Sequence, residues 1–249
     1  MRVLLFQTPS YSGRGAPLWL LALAVALAAL AGCASGPQAN PKDPMEPLNR
    51  GVYQFNDAID TAVLKPVASG YRAVTPQPVQ TGVSNFFNNL QDVWSIVNNL
   101  LQLKMREAAE SLVRVNVNTF FGLGGLINVA DAMNLERHTE DFGQTLGYWG
   151  VPPGPYVVLP LLGPSTLRDT LALPVDWQGD LTNTVTPAAS RNALVTLRVV
   201  DVRSKLLQAS NLLEQAALDK YSFTRDAYLQ RRLSQVYDGQ VPEENPDTK

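Results

Sequence analysis

Three side chains of this 249-residue chain stand out as possible nucleophiles or bases: Cys33, the single histidine His138, and Ser165. A serine hydrolase needs its nucleophile on a tight strand–turn–helix elbow between two glycines, with a histidine as base. Gly163-Pro164-Ser165-Thr166-Leu167 lacks the second glycine. A lipid hydrolase built on Ser165 and His138 is therefore kept only as an alternative. One histidine and one cysteine leave no zinc set, because structural and catalytic zinc both need three or four such ligands. The run Gly122-Leu123-Gly124-Gly125 fails as a dinucleotide loop, since Ile127 stands where the third glycine belongs. It reads instead as a flexible joint or a site of close helix packing, with Gly122, Gly124 and Gly125 as a candidate hinge. No metal and no cofactor are expected.

Cys33 has a different chemistry. Residues 1–32 contain no acidic residue, carry Arg2 and Arg14, and end in the apolar run Leu18–Leu30. That is a basic segment followed by an apolar one too short to cross a bilayer, the pattern of a secretory signal peptide. Leu30-Ala31-Gly32-Cys33 then gives small residues before a thiol, the cleavage box of a bacterial lipoprotein. The thiol accepts a diacylglyceryl group, and no second cysteine exists to pair with it. Two acyl chains suffice for stable anchoring. Ala34 replaces the aspartate that retains lipoproteins in the inner membrane, so the expected address is the periplasmic face of the outer membrane.

These residues must be carried by a mature chain from Cys33 onward, long enough for one domain with a core. Its acidic residues outnumber its basic ones, so it has no electrostatic footprint for nucleic acid. Residues 33–47 read as a tether and 239–249 as a disordered acidic tail, leaving 48–238 as an all-α domain. Leu48, Val52, Phe55, Ile59 and Val63 make one apolar helical face, with a stop predicted at Lys65-Pro66. A connector with Pro76 and Pro78 follows, then helices over Val79–Leu103 and about Glu107–Phe121. A short helix restarts near Ile127, and two more cover Pro187 to about Ser210 and Leu212 to Tyr237. The uncharged stretch Thr145–Leu167 holds five prolines and four glycines, so it is no helix; Val151–Leu162 reads as an extended strap.

The second helix is the most informative element. Between Arg72 and Lys104 the only charged residue is Asp92, yet Asn85, Asn88, Asn89, Gln91, Asp92, Ser95, Asn98, Asn99 and Gln102 gather on half the helix. Solvated helix faces ordinarily use Lys, Glu and Arg, which favour helix more than Asn does. A polar but nearly uncharged face suits a wet surface that meets lipid head groups. Asn85, Asn89, Asp92 and Asn99 are the candidate lining residues. The loop Met133–Asp141, dense in charge, is expected to face water.

Several segments in consistent order resemble the MlaA (VacJ) lipoproteins: Asp43-Pro-Met-Glu-Pro-Leu-Asn-Arg50, Tyr53-Gln-Phe-Asn56, Lys65-Pro-Val-Ala68 and Gly82-Val-Ser-Asn-Phe86. Gly122-Leu-Gly-Gly125, Phe142-Gly-Gln-Thr-Leu-Gly147, Gly154-Pro-Tyr-Val-Val-Leu-Pro160 and Thr166-Leu-Arg-Asp169 continue the match across roughly residues 43–240. The resemblance implies a single-domain helical ring with a central amphipathic channel in the inner leaflet of the outer membrane. Phospholipid would leave the outer leaflet through it, beside a trimeric porin, and pass to a soluble periplasmic carrier. A mobile segment at Asp131–Phe142 would gate the channel. A purely structural, porin-bracing lipoprotein is the remaining alternative.

Overall fold

The computed structural model of the chain describes residues 43–242. The expected signal peptide, the acylation site Cys33, most of the 33–47 tether and most of the 239–249 tail lie outside them. Nine helices are labelled here: α1 Glu46–Ile59, α2 Lys65–Val74, α3 Gln77–Leu101, α4 Met105–Phe120, α5 Val129–Ala132, α6 Phe142–Tyr148, α7 Leu167–Gly179, α8 Ala188–Ala216 and α9 Lys220–Val236. The strands β1 Tyr156–Leu159 and β2 Gly163–Thr166 pair antiparallel, with Tyr156 opposite Thr166. The mainly helical expectation holds.

Several boundaries differ from the sequence reading, each for a local reason. The stop at Lys65-Pro66 does not occur. Instead the helical run widens into a π turn at Asp60–Leu64, where the Lys65 N–H reaches back to the Asp60 carbonyl, and Pro66 falls in the first turn of α2. A first-turn proline loses no hydrogen bond, so the chain stays helical through it. Pro78 is likewise absorbed into the first turn of α3, shrinking the expected connector to Thr75-Pro76. The break expected after Ser210 comes later: α8 continues to Ala216, and Asp219 then starts α9 by accepting the Tyr221 and Ser222 N–H groups. Two helices were not anticipated, α6 and α7. Each begins at a side-chain cap, Asp141 accepting from the Gln144 N–H and Thr166 from the Asp169 N–H.

The apolar strap becomes the β-hairpin, turned through Leu161 and Gly163, both at positive φ. Two asparagines of α1 dock it. Asn49 donates to the Tyr156 carbonyl and accepts from the Val158 N–H, both at 2.9 Å. One face further along, Asn56 does the same for Leu159 and Leu161 at 2.9 and 2.8 Å. Inward, Tyr156 and Val158 pack on Tyr221, with Val52, Tyr53, Tyr228 and Leu229 around them. The last residues assigned to the tether belong to this cluster: Asp43 is buried, accepts from Asn49 at 2.8 Å and receives the Tyr221 hydroxyl. The tether therefore ends before Asp43.

Elsewhere the distribution of polarity is reversed. Among the described residues, 24 buried side chains are polar or charged and 10 are apolar, while 39 large apolar side chains are exposed. Exposed apolar atoms are common on any protein, so the diagnostic half of this observation is the polar interior. Part of the apolar face of α1 and of the π turn after it points outward, with Leu48, Phe55 and Val63 about half exposed, while Val52 turns to the β1 cluster. Leu100 and Leu103 at the α3–α4 turn, and Phe120, Phe121 and Leu123 at the opposite end of that hairpin, are exposed as well.

Candidate functional site

The neutral polar face of α3 forms as a face, but it is turned into the protein. Asn89 is 6% exposed, Asp92 2% and Asn99 0%, so the expectation of a wet surface at these positions is corrected. Only Asn85 is partly open, and it donates to the Leu126 carbonyl at 3.1 Å. The reason lies in what packs against α3. Asn89 donates to Thr119 of α4 at 3.0 Å, and Asn98 accepts from the Thr145 hydroxyl of α6 at 2.9 Å. Asn99 turns back to its own helix, donating to the Ser95 carbonyl at 2.9 Å. Buried amides need partners, and the sequence does not announce which distant groups supply them.

The charged segment after α5 is fastened to this face rather than swinging in water. Arg137 reaches Asp92 at 2.6 Å, and Arg114, itself almost wholly buried, meets Asp131 at 2.9 Å. His138 lies 2.6 Å from Glu110. Glu140, 4% exposed, takes Gln102 at 2.9 Å and Lys104 at 3.0 Å. Asp141 closes the segment with two 2.6 Å contacts to Arg232, which also holds Asp169. The expectation that Met133–Asp141 is a water-facing loop is therefore corrected: Met133, Asn134 and Glu136 are exposed, while the charges beyond them are tied down.

These carboxylates have divergent electrostatics. Burial raises the Asp92 carboxyl above its ordinary value, against the opposing pull of Arg137 and Arg114. Burial raises Glu140 too, despite Gln102 and Lys104. At Asp169 burial acts in the same direction, but hydrogen bonds and charge from Arg232, with the charge of Arg168, outweigh it and hold the group below its ordinary value.

The glycine run after α4 is closely packed. A Cβ on Gly122 would stand 2.1 Å from the Ile127 carbonyl oxygen, and one on Gly125 would stand 2.8 Å from the Asn89 amide nitrogen. Gly124 has open space around it but sits at φ +71. The Gly124 and Gly125 N–H groups return to the Thr119 and Asn118 carbonyls, completing the end of α4. Ser165 and His138 keep separate company. Ser165 shares a hydrogen bond with Thr170 at 3.0 Å, His138 faces Glu110, and no hydrogen bond joins the two.

A cavity that the sequence reading missed lies between α2, α3 and α8. It measures about 240 Å³ and is walled by Arg72, by Gln80 and Ser84 of α3, and by Asp201 and Lys205 of α8. One signal was available: Gln77, Gln80, Thr81 and Ser84 put uncharged polar groups on the first turns of α3, ahead of the asparagines. Asp201 gave none, being one of two acids on α8, the other being Glu214.

Together these features define a helical protein with a hydrogen-bonded polar interior and an apolar exterior. The model of the family described as MlaA lipoprotein matches residues 41–235, and the chain belongs to that family. It is 37% identical over 245 residues to the intermembrane phospholipid transport system lipoproteins MlaA of Shigella flexneri and of Escherichia coli K12, covering 93% of this chain and 94% of each relative. The Haemophilus influenzae protein of the same name is 35% identical, over 86% of this chain and 89% of its own. A solved structure described as the structural basis for maintenance of bacterial outer membrane lipid asymmetry aligns with a TM-score of 0.65 at 34% identity, covering 78% of this chain and 98% of that one.

Proposed function

We propose that this chain is an outer-membrane lipoprotein that takes mislocalised phospholipids out of the outer leaflet and passes them to a soluble periplasmic carrier. The lipid on Cys33 anchors it at the periplasmic face, a trimeric porin stands beside it, and the step involves no covalent chemistry. The relatives' names support phospholipid transport as the activity. The observation that carries the reading is the inverted polarity, because apolar side chains on the outside and amides inside suit a body seated in acyl chains. No helix among the described residues is long and apolar enough to cross a membrane. Half-exposed apolar faces on α1 and on the α3–α4 hairpin instead fit helices lying within one leaflet.

In this reading the head group follows polar surface and the acyl chains follow apolar surface. The polar interior supports an amphipathic channel, and the cavity between α2, α3 and α8 is the stretch of it open enough to admit a head group. Along Asn89, Asp92 and Asn99 the packed face of α3 serves as the channel's rigid frame. The fastened segment Asp131–Phe142 gates only if its ion pairs release.

Complementation tests the proposal. In cells lacking their own lipoprotein of this family, expression of the chain should lower the phospholipid that an externally added phospholipase digests from intact cells. Expression at the outer membrane with no fall in digestible phospholipid would sink the reading.

A further inference from the structure

The cavity between α2, α3 and α8 holds a buried carboxylate whose cation comes from a half-exposed lysine, and an arginine with no ion pair to another described residue. On its anionic side is Asp201, 1% exposed. The Ser84 hydroxyl lies 3.0 and 3.1 Å from its two oxygens, and Lys205 stands 2.9 Å away. Lys205, however, keeps about half of its side chain in solvent, so it can leave Asp201 for water once another cation takes its place. The buried Tyr71 hydroxyl is close to Asp201, and burial together with that charge pushes its pKa upward.

On the cationic side is Arg72. It lines the same cavity, and its guanidinium has no ion pair and no hydrogen bond to another described residue. An arginine is a planar, permanently charged fork matched to phosphate oxygens. The rest of the wall is amide and hydroxyl, with no other acid. A net anion would find Arg72 but also face the buried carboxylate. A zwitterion would satisfy both.

We propose that this cavity seats the head group of a zwitterionic, primary-amine phospholipid: its phosphodiester on Arg72 and its ammonium on Asp201, displacing Lys205 toward solvent. This inference rests on the phospholipid-transport reading and adds a head-group preference to it. The ammonium donates hydrogen bonds to Asp201, with the Ser84 hydroxyl oxygen beside it as a further acceptor. A quaternary trimethylammonium has no hydrogen to donate there. A glycerol head group has no ammonium to take the place of Lys205 at Asp201, so it gains only the Arg72 contact.

The test uses the full-length lipoprotein in detergent and three short-chain probes: dihexanoyl phosphatidylethanolamine, phosphatidylglycerol and phosphatidylcholine, titrated calorimetrically. The ethanolamine lipid should bind about tenfold more tightly than the other two, the worth of one charge-assisted hydrogen bond. Arg72→Gln should weaken all three probes. Asp201→Asn should remove the preference by weakening the ethanolamine lipid alone. Should Asp201→Asn unfold, Lys205→Gln keeps the question open to decision: this half-exposed side chain only competes for Asp201, and its loss should strengthen ethanolamine binding selectively. Equal affinity for the three lipids in the unsubstituted protein, or no selective gain in Lys205→Gln, overturns the proposal. If none of the probes binds while expression still lowers digestible surface phospholipid, the head-group site falls and the transport reading stands. If both fail, both fall.

Discussion

The α3–α4 hairpin and the hairpin–α9 cluster are two interiors of one helical fold, filled by opposite rules. Around β1 the inward side chains are Tyr156, Val158 and Tyr221, and burial removes apolar surface from water. Between α3 and α4 the inward side chains are Asn89, Asp92, Ser95, Asn98, Asn99, Ser111 and Arg114, and apolar Val97, Leu100 and Leu112 are left outside. A water-soluble protein gains nothing from such an inversion. In acyl chains the outward apolar groups lose no water contact, and the polar groups must satisfy one another inside. The first interior is held mainly by apolar contact; the second is held by hydrogen bonds and ion pairs, although the Asn89 and Asn99 side-chain oxygens have no partner among the described residues.

Removing a charge should separate the two most sharply. Asp92→Ala removes the anion that Arg137 meets at 2.6 Å and leaves buried Arg114 with Asp131 alone. Breaking a buried pair from one side costs about 3–5 kcal/mol. Tyr221→Phe in the other interior deletes only the hydroxyl that reaches Asp43, a carboxylate still held by Asn49 and Arg225. That change should cost about 1–2 kcal/mol. Denaturant unfolding of the detergent-solubilised variants measures both, and equal losses would erase the distinction between the two regions.

The glycines after α4 sharpen the comparison at the edge of the polar interior. Gly122→Ala drives a methyl into the Ile127 carbonyl, and Gly125→Ala meets Asn89 at φ +93; each should cost about 1–3 kcal/mol by overpacking. Gly124→Ala meets nothing and bears only the left-handed backbone, about 1–2 kcal/mol. Melting temperatures should follow that order. A hinge predicts another pattern, in which Gly124→Ala with Gly125→Ala keeps its stability and changes only the surface-digestible phospholipid.

How much of this was readable beforehand follows from what periodicity encodes. The spacing of Leu48, Val52, Phe55, Ile59 and Val63 established a helix and an apolar face, and both exist. It carried no information about which face turns inward, because a helix seated in lipid has the same period as one on a soluble core. The crowding of asparagine on α3 marked that element as unusual, but an interior amide and a wet amide look alike until their partners are known. Thr119, Thr145 and Arg137 lie 30 to 47 residues from the α3 groups they bind, beyond any local pattern. The short helices α6 and α7 were missed because glycines and prolines masked them and their capping residues, Asp141 and Thr166, looked like ordinary loop residues. The family, by contrast, was legible from order and spacing of short motifs over most of the chain.

The smallest expected effect is a difference in acid response between two carboxylates at the C-terminal end of the fastened segment: Glu140 within it, and Asp169 of α7, which shares Arg232 with Asp141. Glu140 has a folded-state pKa above its ordinary value, so the folded protein binds its proton first. Folding stability from this group falls as pH rises from the ordinary glutamate range through the raised value, and is regained on acidification. Asp169 has a folded-state pKa below its ordinary value. Its contribution is present above the ordinary aspartate range and is lost as pH falls through the depressed value. Mild acid should therefore protonate Glu140, loosening Lys104 from the segment, while Arg232 still grips Asp169 and Asp141. Carboxyl carbon resonances of the labelled protein, titrated in micelles, would place Glu140 well above Asp169. Glu140→Gln should keep the Gln102 contact through its amide oxygen and remove the corresponding step from the unfolding–pH curve. If the two groups titrate together, or Asp169 first, the Glu140 contact is not the weaker of the two that hold this end of the segment, and release in mild acid would have to begin at Arg232 instead.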